Sequence, residues 1–502
     1  MLDLVIVGSG YGGSVLAARL AGQGRVLLLE RGRRWSSGEF PSTLRGVARA
    51  YASRRNPLGL WGMRLAEGTG NGFVSALGGA SVVNYGITSY PDAHVFARWP
   101  IGAAELEPYF ARARATLRPS ANPRADELLD KRFLDLVEPG RRVDYENTID
   151  WERCTLCGHC CPGCNEGAKL SLDRTSLAAA EARGAELRVQ TEVHSLAPCA
   201  DGSWELMVAP TGRPEELERI VARRVALCAG AFGTLDLLFR CHAEVPVSPR
   251  FGEGMSMNGD GLAFLYNTAL PISTHHGAPI STTVRLHMRD DEGQLRTLTV
   301  MAGRIPFSAL GVAGRALALV GTFVGERHAG ASEERLLPRA RRRWRDLGGI
   351  LEGGALSQSF MYKLDGQDSA RGEAIFDGEG RAAIHWPDYA EDPINRFAAA
   401  RLAEWADRIG GILVPNLGTW RFMRSFGVHP LGGARMGRNV AEGVVDAWGR
   451  VFRPDGRTYP GLRIADASVI PTSVGVPPSF TIAAVAERIA EDLGAELARA
   501  RG

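Results

Sequence analysis

The sequence predicts an α/β Rossmann-like domain into which an α+β domain built on an antiparallel sheet is inserted. Three observations predict it. The chain opens on an apolar strand, a glycine turn, a helix and a second strand that ends in an acid. Its C-terminal region carries another strand ending in an acid, then small residues and a helix. Between these regions, short stretches alternate apolar and polar side chains, as a sheet with one wet face does. At 502 residues the chain is also too long for one ordinary core, so two joined domains are expected.

Composition narrows the class. A hydrophobic content of 45% against 23% charged, with 61 glycines and 27 prolines, is the profile of a soluble enzyme rich in tight turns. The 59 basic and 56 acidic residues leave only +3, spread along the chain, so no nucleic-acid partner is expected. The densest basic run, Arg339 to Arg345, reads as a solvated helix face or loop ahead of an anion or membrane-surface site. No basic leader or cleavage site precedes the opening strand, so a signal peptide is not expected. The most apolar long stretch, Phe307 to Val324, is interrupted by Arg315, so no transmembrane segment is expected and the location is read as cytoplasmic.

The opening segment runs from a strand at Leu2 to Val7 into Gly8, Gly10 and Gly13, then into a helical stretch, Ser14 to Leu20. That G-x-G-x-x-G spacing supplies a tight turn, close backbone approach to a pyrophosphate and close helix-to-strand packing. The next strand, Arg25 to Glu30, ends in a carboxylate that can accept ribose hydroxyls and would repel a 2′-phosphate. Further on, Gly78, Gly79, Ser81 and Asn84 stand in a loop of small residues that lets the backbone lie against a large flat group. Near the C-terminus, the strand from Gly461 ends at Asp466, and Thr481 to Leu493 is helical in pattern. Such an acid can hold a ribityl chain while the helix dipole faces a flavin, which favours FAD over a nicotinamide cofactor.

The first and last parts of the chain are therefore assigned to one FAD-binding domain, most of 1–260 with 425–502, including a cysteine-rich loop at 150–170. Residues 261–424 form the substrate-binding domain. Its expected strands are Leu262 to Tyr266, Thr282 to His287, Leu295 to Met301, Phe360 to Leu364 and Ala382 to Trp386. Phe307 to Val324 reads either as a helix packed on that sheet or as a lid over an apolar cavity.

Five of the eight cysteines fall between Cys154 and Cys164. Cys154, Cys157, Cys160 and Cys164 have the spacing C-x2-C-x2-C-x3-C, with Cys161 as a spare that can replace Cys160. Three readings stay open: a [4Fe-4S] or [3Fe-4S] cluster, unmetallated structural thiols, or zinc. Cys199, Cys228 and Cys241 read as buried small hydrophobes.

Taken together, these motifs resemble the glucose-methanol-choline (GMC) family of FAD oxidoreductases, and more closely its cholesterol-oxidase-like branch. The N-terminal glycines, Glu30 and the Gly78 to Gly86 loop carry the likeness. So do Ala226 to Thr234 with Gly230, the Met257-Asn258-Gly259-Asp260 transition, His429-Pro-Leu-Gly-Gly and the Asp466 segment. The resemblance implies that the Val193 region approaches adenine through its backbone. It also implies that His429 lies at the active site, where its imidazole accepts the alcohol proton or holds that hydroxyl while the carbon-bound hydride leaves for the flavin. Where the family presents an Asn or a second His, this chain places Pro477, with Ser479 or a residue of the substrate domain as the replacement.

The expected activity is FAD-dependent dehydrogenation of a lipophilic alcohol, steroid or terpene in type. Electrons would pass through the cysteine cluster to an acceptor protein or quinone. The alternatives are an oxygen-using alcohol oxidase and a non-redox or light-driven flavoenzyme.

Overall fold

The computed structural model describes residues 1–268, 270, 277, 280, 282–304, 326–328, 355–414 and 425–500. Leu4–Val7 and Val26–Leu29 are apolar at every position and buried at every position, as strands covered on both faces must be. They lie at the centre of a six-stranded sheet in the order Arg450–Phe452, Thr458–Ile464, Val225–Leu227, Leu4–Val7, Val26–Leu29, Glu186–Arg188. All neighbours run parallel except the antiparallel edge strand Arg450–Phe452. Distant parts of the chain thus share one sheet, with Val5 between Leu27 and Val225, and Val225 in turn beside Leu462.

The first helix, Tyr11–Leu20, starts three residues earlier than its apolar pattern suggests and takes Gly13 inside it. It packs against the long C-terminal helix Ser479–Arg499, and Arg19 pairs with the buried Glu487 at 2.6 Å. That C-terminal helix is longer at both ends than its sequence pattern predicts.

The second layer is a seven-stranded, wholly antiparallel sheet in the order Glu326–His328, Gly411–Val414, Gly261–Tyr266, Phe360–Gly366, Leu295–Ala302, Thr282–Arg289, Arg142–Asp144. Period-two alternation decides its faces. Phe360, Tyr362 and Leu364 join Val284, Leu286, Leu298 and Val300 in a core closed by the helices Leu129–Val137 and Pro393–Ile409. Phe133 stacks on Phe360 with ring centroids 4.0 Å apart. The intervening residues Met361, Lys363 and Asp365 face the opposite way, and they too are buried. Thr299, also on that face, donates to the Gly475 carbonyl at 2.6 Å, tying the antiparallel sheet to the C-terminal turn.

Four of the five expected strands take their places in this sheet. The fifth, Ala382–His385, pairs instead with Gly372–Phe376, which also pairs with Glu253–Met255, in a separate three-stranded sheet. Arg142–Asp144, which adds the far edge, carries no periodic pattern and was not expected. The segment Phe307 to Val324 and the basic run Arg339 to Arg345 lie outside the described residues. Among the described residues, no helix is long and apolar enough to cross a membrane.

Candidate active site

Two glycine loops and two helix starts meet at the carboxyl ends of the parallel strands, where open α/β sheets bind their ligands. Leu4–Val7 runs into Gly8, whose φ of +100° is one that only glycine adopts freely. A Cβ on Gly13 would overlap the Gly8 carbonyl, so the helix can close on the turn only without one. The second loop comes as near: a Cβ on Gly79 would lie 2.7 Å from Gly10 Cα. The Gly78 N–H donates to Ser9 Oγ at 3.0 Å. Ser81 Oγ donates to the Gly78 carbonyl at 2.7 Å and accepts from Leu172 N at 3.0 Å.

By contrast, a Cβ on Gly10 or Gly230 would meet no atom within 4 Å. Both stand where a helix begins, Tyr11–Leu20 and Gly230–Arg240, and neither helix has an acid in its first turn. The positive end of Tyr11–Leu20 suits a pyrophosphate, while at the other helix start Asp466 already accepts from Gly230 N. The residues present therefore fit the dinucleotide half of FAD.

Glu30 is buried, and both its oxygens are held. Oε2 accepts from Ser9 N at 3.1 Å and Ser9 Oγ at 2.5 Å, and Oε1 accepts from Gly32 N at 2.7 Å. Burial raises its carboxyl above the ordinary range, partly countered by these donors. Oε1, with one donor, keeps a lone pair for a ribose hydroxyl. Val193 is buried in the strand Thr191–Pro198, and its carbonyl accepts from the Arg240 guanidinium at 3.2 Å. Asp466 accepts four hydrogen bonds from the protein itself. Gly230 N and Thr234 Oγ1 reach Oδ2 at 3.0 and 2.5 Å, and Ser468 N and Oγ reach Oδ1 at 2.9 and 2.6 Å. It thereby joins the starts of two turns at adjacent strand ends. Asn84 Nδ2 donates to the Tyr11 hydroxyl at 2.7 Å, while its Oδ1 accepts from Gly86 N at 3.0 Å.

His429 stands where the two layers meet, its side chain 19% exposed. Its Nδ1 lies 2.8 Å from Asp365 Oδ1 and 3.5 Å from Asp260 Oδ2, and its Nε2 has no partner among the described residues. Asp365 comes from the inward face of Phe360–Gly366 and is wholly buried, as is Lys363 two positions earlier. The Lys363 ammonium donates to Asp260 Oδ1, to the Leu364 carbonyl at 2.8 Å and to Asp365 Oδ1 at 3.2 Å. Burial works against both charges. The ammonium of Lys363 and the ring of His429 nevertheless hold Asp365 below the usual carboxylate range, and the two acids hold Lys363 above the usual ammonium range.

Asn258, buried and at φ +59°, links this group to the C-terminal turn. Its Oδ1 accepts from Ser473 Oγ, Val474 N and Gly475 N at 3.1, 2.9 and 3.1 Å. Its Nδ2 donates to the Val476 carbonyl at 2.8 Å and approaches Asp365 Oδ1 at 3.4 Å. Pro477 follows directly and presents no polar side chain. Ser479 Oγ is directed to the Ile87 carbonyl at 3.4 Å and lies beside Tyr11, so these partners put it with Tyr11 and Asn84 rather than with His429. Sequence reasoning missed Lys363 and Asp365. The available signal was a lysine and an acid on one face of a strand whose other face is wholly apolar.

The cysteine loop departs from expectation. Burial pushes the Cys154 and Cys160 thiols up, and the nearby charges of Cys157 and Cys164 add to the shift, so these four are neighbours. Cys161 sits apart, within bonding reach of the Tyr85 hydroxyl. Among the described residues, however, no three cysteine sulfurs lie within 4.8 Å of one another. Among the described His, Cys, Asp and Glu residues, the one group of three gathered that closely is Asp260, Asp365 and His429. There Lys363 already supplies the cation. The compact thiolate set that a single zinc ion takes is thus not met at 154–164 among the described residues. Cys228 and Cys241 are buried as expected, while Cys199 is only half-buried.

Comparison with known proteins agrees with this geometry. Family models described as GMC oxidoreductase match residues 6–243 and 379–486, together about two thirds of the chain. A cholesterol oxidase of Mycobacterium tuberculosis is 29% identical over 549 residues, covering 97% of this chain and 90% of that protein. One from Acinetobacter baumannii is 24% identical, covering 97% and 93%. A long-chain-alcohol oxidase of Arabidopsis thaliana is 24% identical, covering 96% of this chain and 66% of that protein. Among solved structures, pyridoxine 4-oxidase from Mesorbium loti superposes with a TM-score of 0.64 at 18% identity, covering 98% of this chain and 99% of that one, which speaks to the fold alone.

Proposed function

The chain belongs to the GMC oxidoreductase family, FAD-dependent enzymes that oxidise CH–OH groups, and from that premise we propose that it is an oxygen-using oxidase of a lipophilic alcohol. The observation that carries the reading is His429, fixed through Nδ1 to a buried acid with Nε2 left open at the junction of the layers. His429 Nε2 accepts the hydroxyl proton of the alcohol as the carbinol C–H bond breaks and a carbonyl forms. FAD, when bound, supplies the two-electron acceptor for that hydride, and dioxygen, leaving as hydrogen peroxide, is the final oxidant.

Most of 1–260 with 425–502 forms the FAD-binding domain, and 261–424 forms the substrate domain. Gly8, Gly10, Gly13, Gly78, Gly79 and Gly230 shape the pyrophosphate cradle. Glu30 meets the ribose and Val193 borders the adenine, while Ser81, Asn84 and Asp466 hold the loops beneath the flavin. A sterol or long-chain alcohol is favoured because relatives covering nearly the whole chain carry those names.

The sequence placed acceptor-linked dehydrogenation first. The oxidase relatives reverse that order. The deciding experiment mixes FAD-loaded protein with cholesterol and with 1-dodecanol, first without oxygen and then with it, alongside iron and sulfide analysis. Anaerobic bleaching of the flavin followed by stoichiometric peroxide supports the proposal. Bleaching by neither alcohol refutes the substrate class. Bleaching without peroxide, with iron and sulfide present, refutes the oxidase in favour of the acceptor-linked enzyme.

A further inference from the structure

Pro477 offers no polar side chain, so whatever governs the His429 imidazole must come from elsewhere. Ser479 is directed to Ile87 and Tyr11. Asp260 stands 3.5 Å from Nδ1, and its two oxygens are already taken by the Lys363 ammonium and by Val428 N, the latter at 2.5 Å. Asp365 is closer, at 2.8 Å, and wholly buried. Three donors converge on its Oδ1, from His429, Lys363 and Asn258, so that oxygen is fixed in place from three directions.

We propose that Asp365 is the positioning residue for His429: it takes the Nδ1 proton, fixes the ring plane and leaves Nε2 as the acceptor that meets the substrate hydroxyl. The inference rests on His429 being the base. The identity of the proton on each nitrogen follows from the partner. A carboxylate cannot donate, so the Nδ1 facing it must carry the hydrogen, and in the neutral ring Nε2 is then the bare nitrogen. Charge then adds to geometry. Two buried carboxylates against one buried ammonium leave one negative charge uncompensated, and a proton arriving at Nε2 makes the imidazolium that balances it. The bond that forms is Nε2–H and the one that breaks is the alcohol O–H, with the electron pair of the O–H bond retained on oxygen as the carbonyl develops. Lys363, through its bond to Oδ1, keeps Asp365 ionised and stops it from swinging away from the ring. Since both come from one face of a single strand, the sheet itself sets their spacing.

The test uses FAD-loaded protein labelled with ¹⁵N-histidine, with His429→Gln to assign the His429 signals. In the unaltered protein His429 is expected as the Nδ1–H tautomer. Asp365→Ala is expected to mix the tautomers. With saturating cholesterol or 1-dodecanol it should slow anaerobic flavin reduction by about 10²-fold or more, the scale of a misplaced base, with KM little changed. Asp365→Asn, which keeps an acceptor and loses the charge, should hold the tautomer and fall between the two in rate. If Asp365→Ala does not fold, Lys363→Met with Asp365→Ala removes the buried pair together and serves the same measurement. An unchanged tautomer, or a reduction rate within about threefold of the parent, overturns the assignment. The tautomer is read without any substrate. A tautomer that shifts in a protein that oxidises neither alcohol therefore refutes the proposed activity and supports Asp365 as the partner of His429.

Discussion

Replacing Lys363 with Met removes the one ammonium between Asp260 and Asp365. The three side chains are 8%, 3% and 0% exposed, so water cannot take its place. Breaking a buried pair by deleting one partner costs about 3–5 kcal/mol. Here two acids lose their cation at once, which puts the expectation at the upper end of that range near neutral pH. The sign of the pH dependence follows from Asp365. In the parent protein Lys363 and His429 hold its carboxyl below the ordinary range against the effect of burial. That contribution to stability is present above the unfolded value of about 3.9 and is lost as pH falls through the lower folded value. In Lys363→Met burial loses its chief opponent and the folded pKa rises. Protonation then stabilises the variant as pH falls, each unit of rise being worth about 1.4 kcal/mol. The two stability curves should therefore converge as pH falls from the alkaline side of neutral towards the unfolded value of about 3.9. Urea midpoints of the FAD-loaded proteins, taken across that range, measure the gap. A gap that stays constant with pH, or a variant as stable as the parent at the alkaline end, would refute the reasoning.

Three further outcomes are expected. Glu30→Ala strands the Ser9 and Gly32 donors and removes the ribose acceptor, so FAD retention after desalting should fall, with affinity down about 10-fold or more at roughly 1–3 kcal/mol per stranded buried group. Gly79→Ala puts a methyl 2.7 Å from Gly10 Cα at a φ of +56°, and the protein should purify largely free of flavin, as its absorbance ratio would report. Ser479→Ala removes a 3.4 Å contact to a carbonyl and a contact with the Tyr11 hydroxyl, neither of them to His429, so turnover should stay within about threefold of the parent in the peroxide assay.

How much of this could be read in advance depends on whether the signal is local. The opening strand, the glycine turn and the second strand are encoded in consecutive residues, and they fold nearly as their pattern says. Four of the seven strands in the second layer were equally legible from period-two alternation, but the other three and the pairing were not. Ala382–His385 looks like its neighbours in composition and joins a different sheet, because partner choice is made by long-range packing rather than by the strand itself. The site divides in the same way. His429 announces itself through the glycines that follow it. Lys363 and Asp365 sit in a strand whose other face is so apolar that the eye reads a core element, and their meaning appears only when His429, from sixty-odd residues later, arrives above them. The cysteine spacing was the loudest local signal, and three-dimensional placement disagrees with its simplest reading.

The six-stranded sheet sets a schedule for the living cell. Its first strand is made at residue 4, yet the strand Thr458–Ile464 beyond its partner Val225–Leu227 and the helix that backs it come last. At about 5–20 residues per second, a ribosome needs roughly half a minute or more between the two. Through that interval Leu4–Val7 and Val26–Leu29 can pair with each other and with Val225–Leu227, but the covering helix is missing and a greasy face stays open. The nascent chain is therefore a client for chaperones until its final residues emerge. Asp466, which ties the Gly230 turn to the adjacent strand end, arrives only then, so a chain truncated before it would have most of its sheet and an untied Gly230 turn.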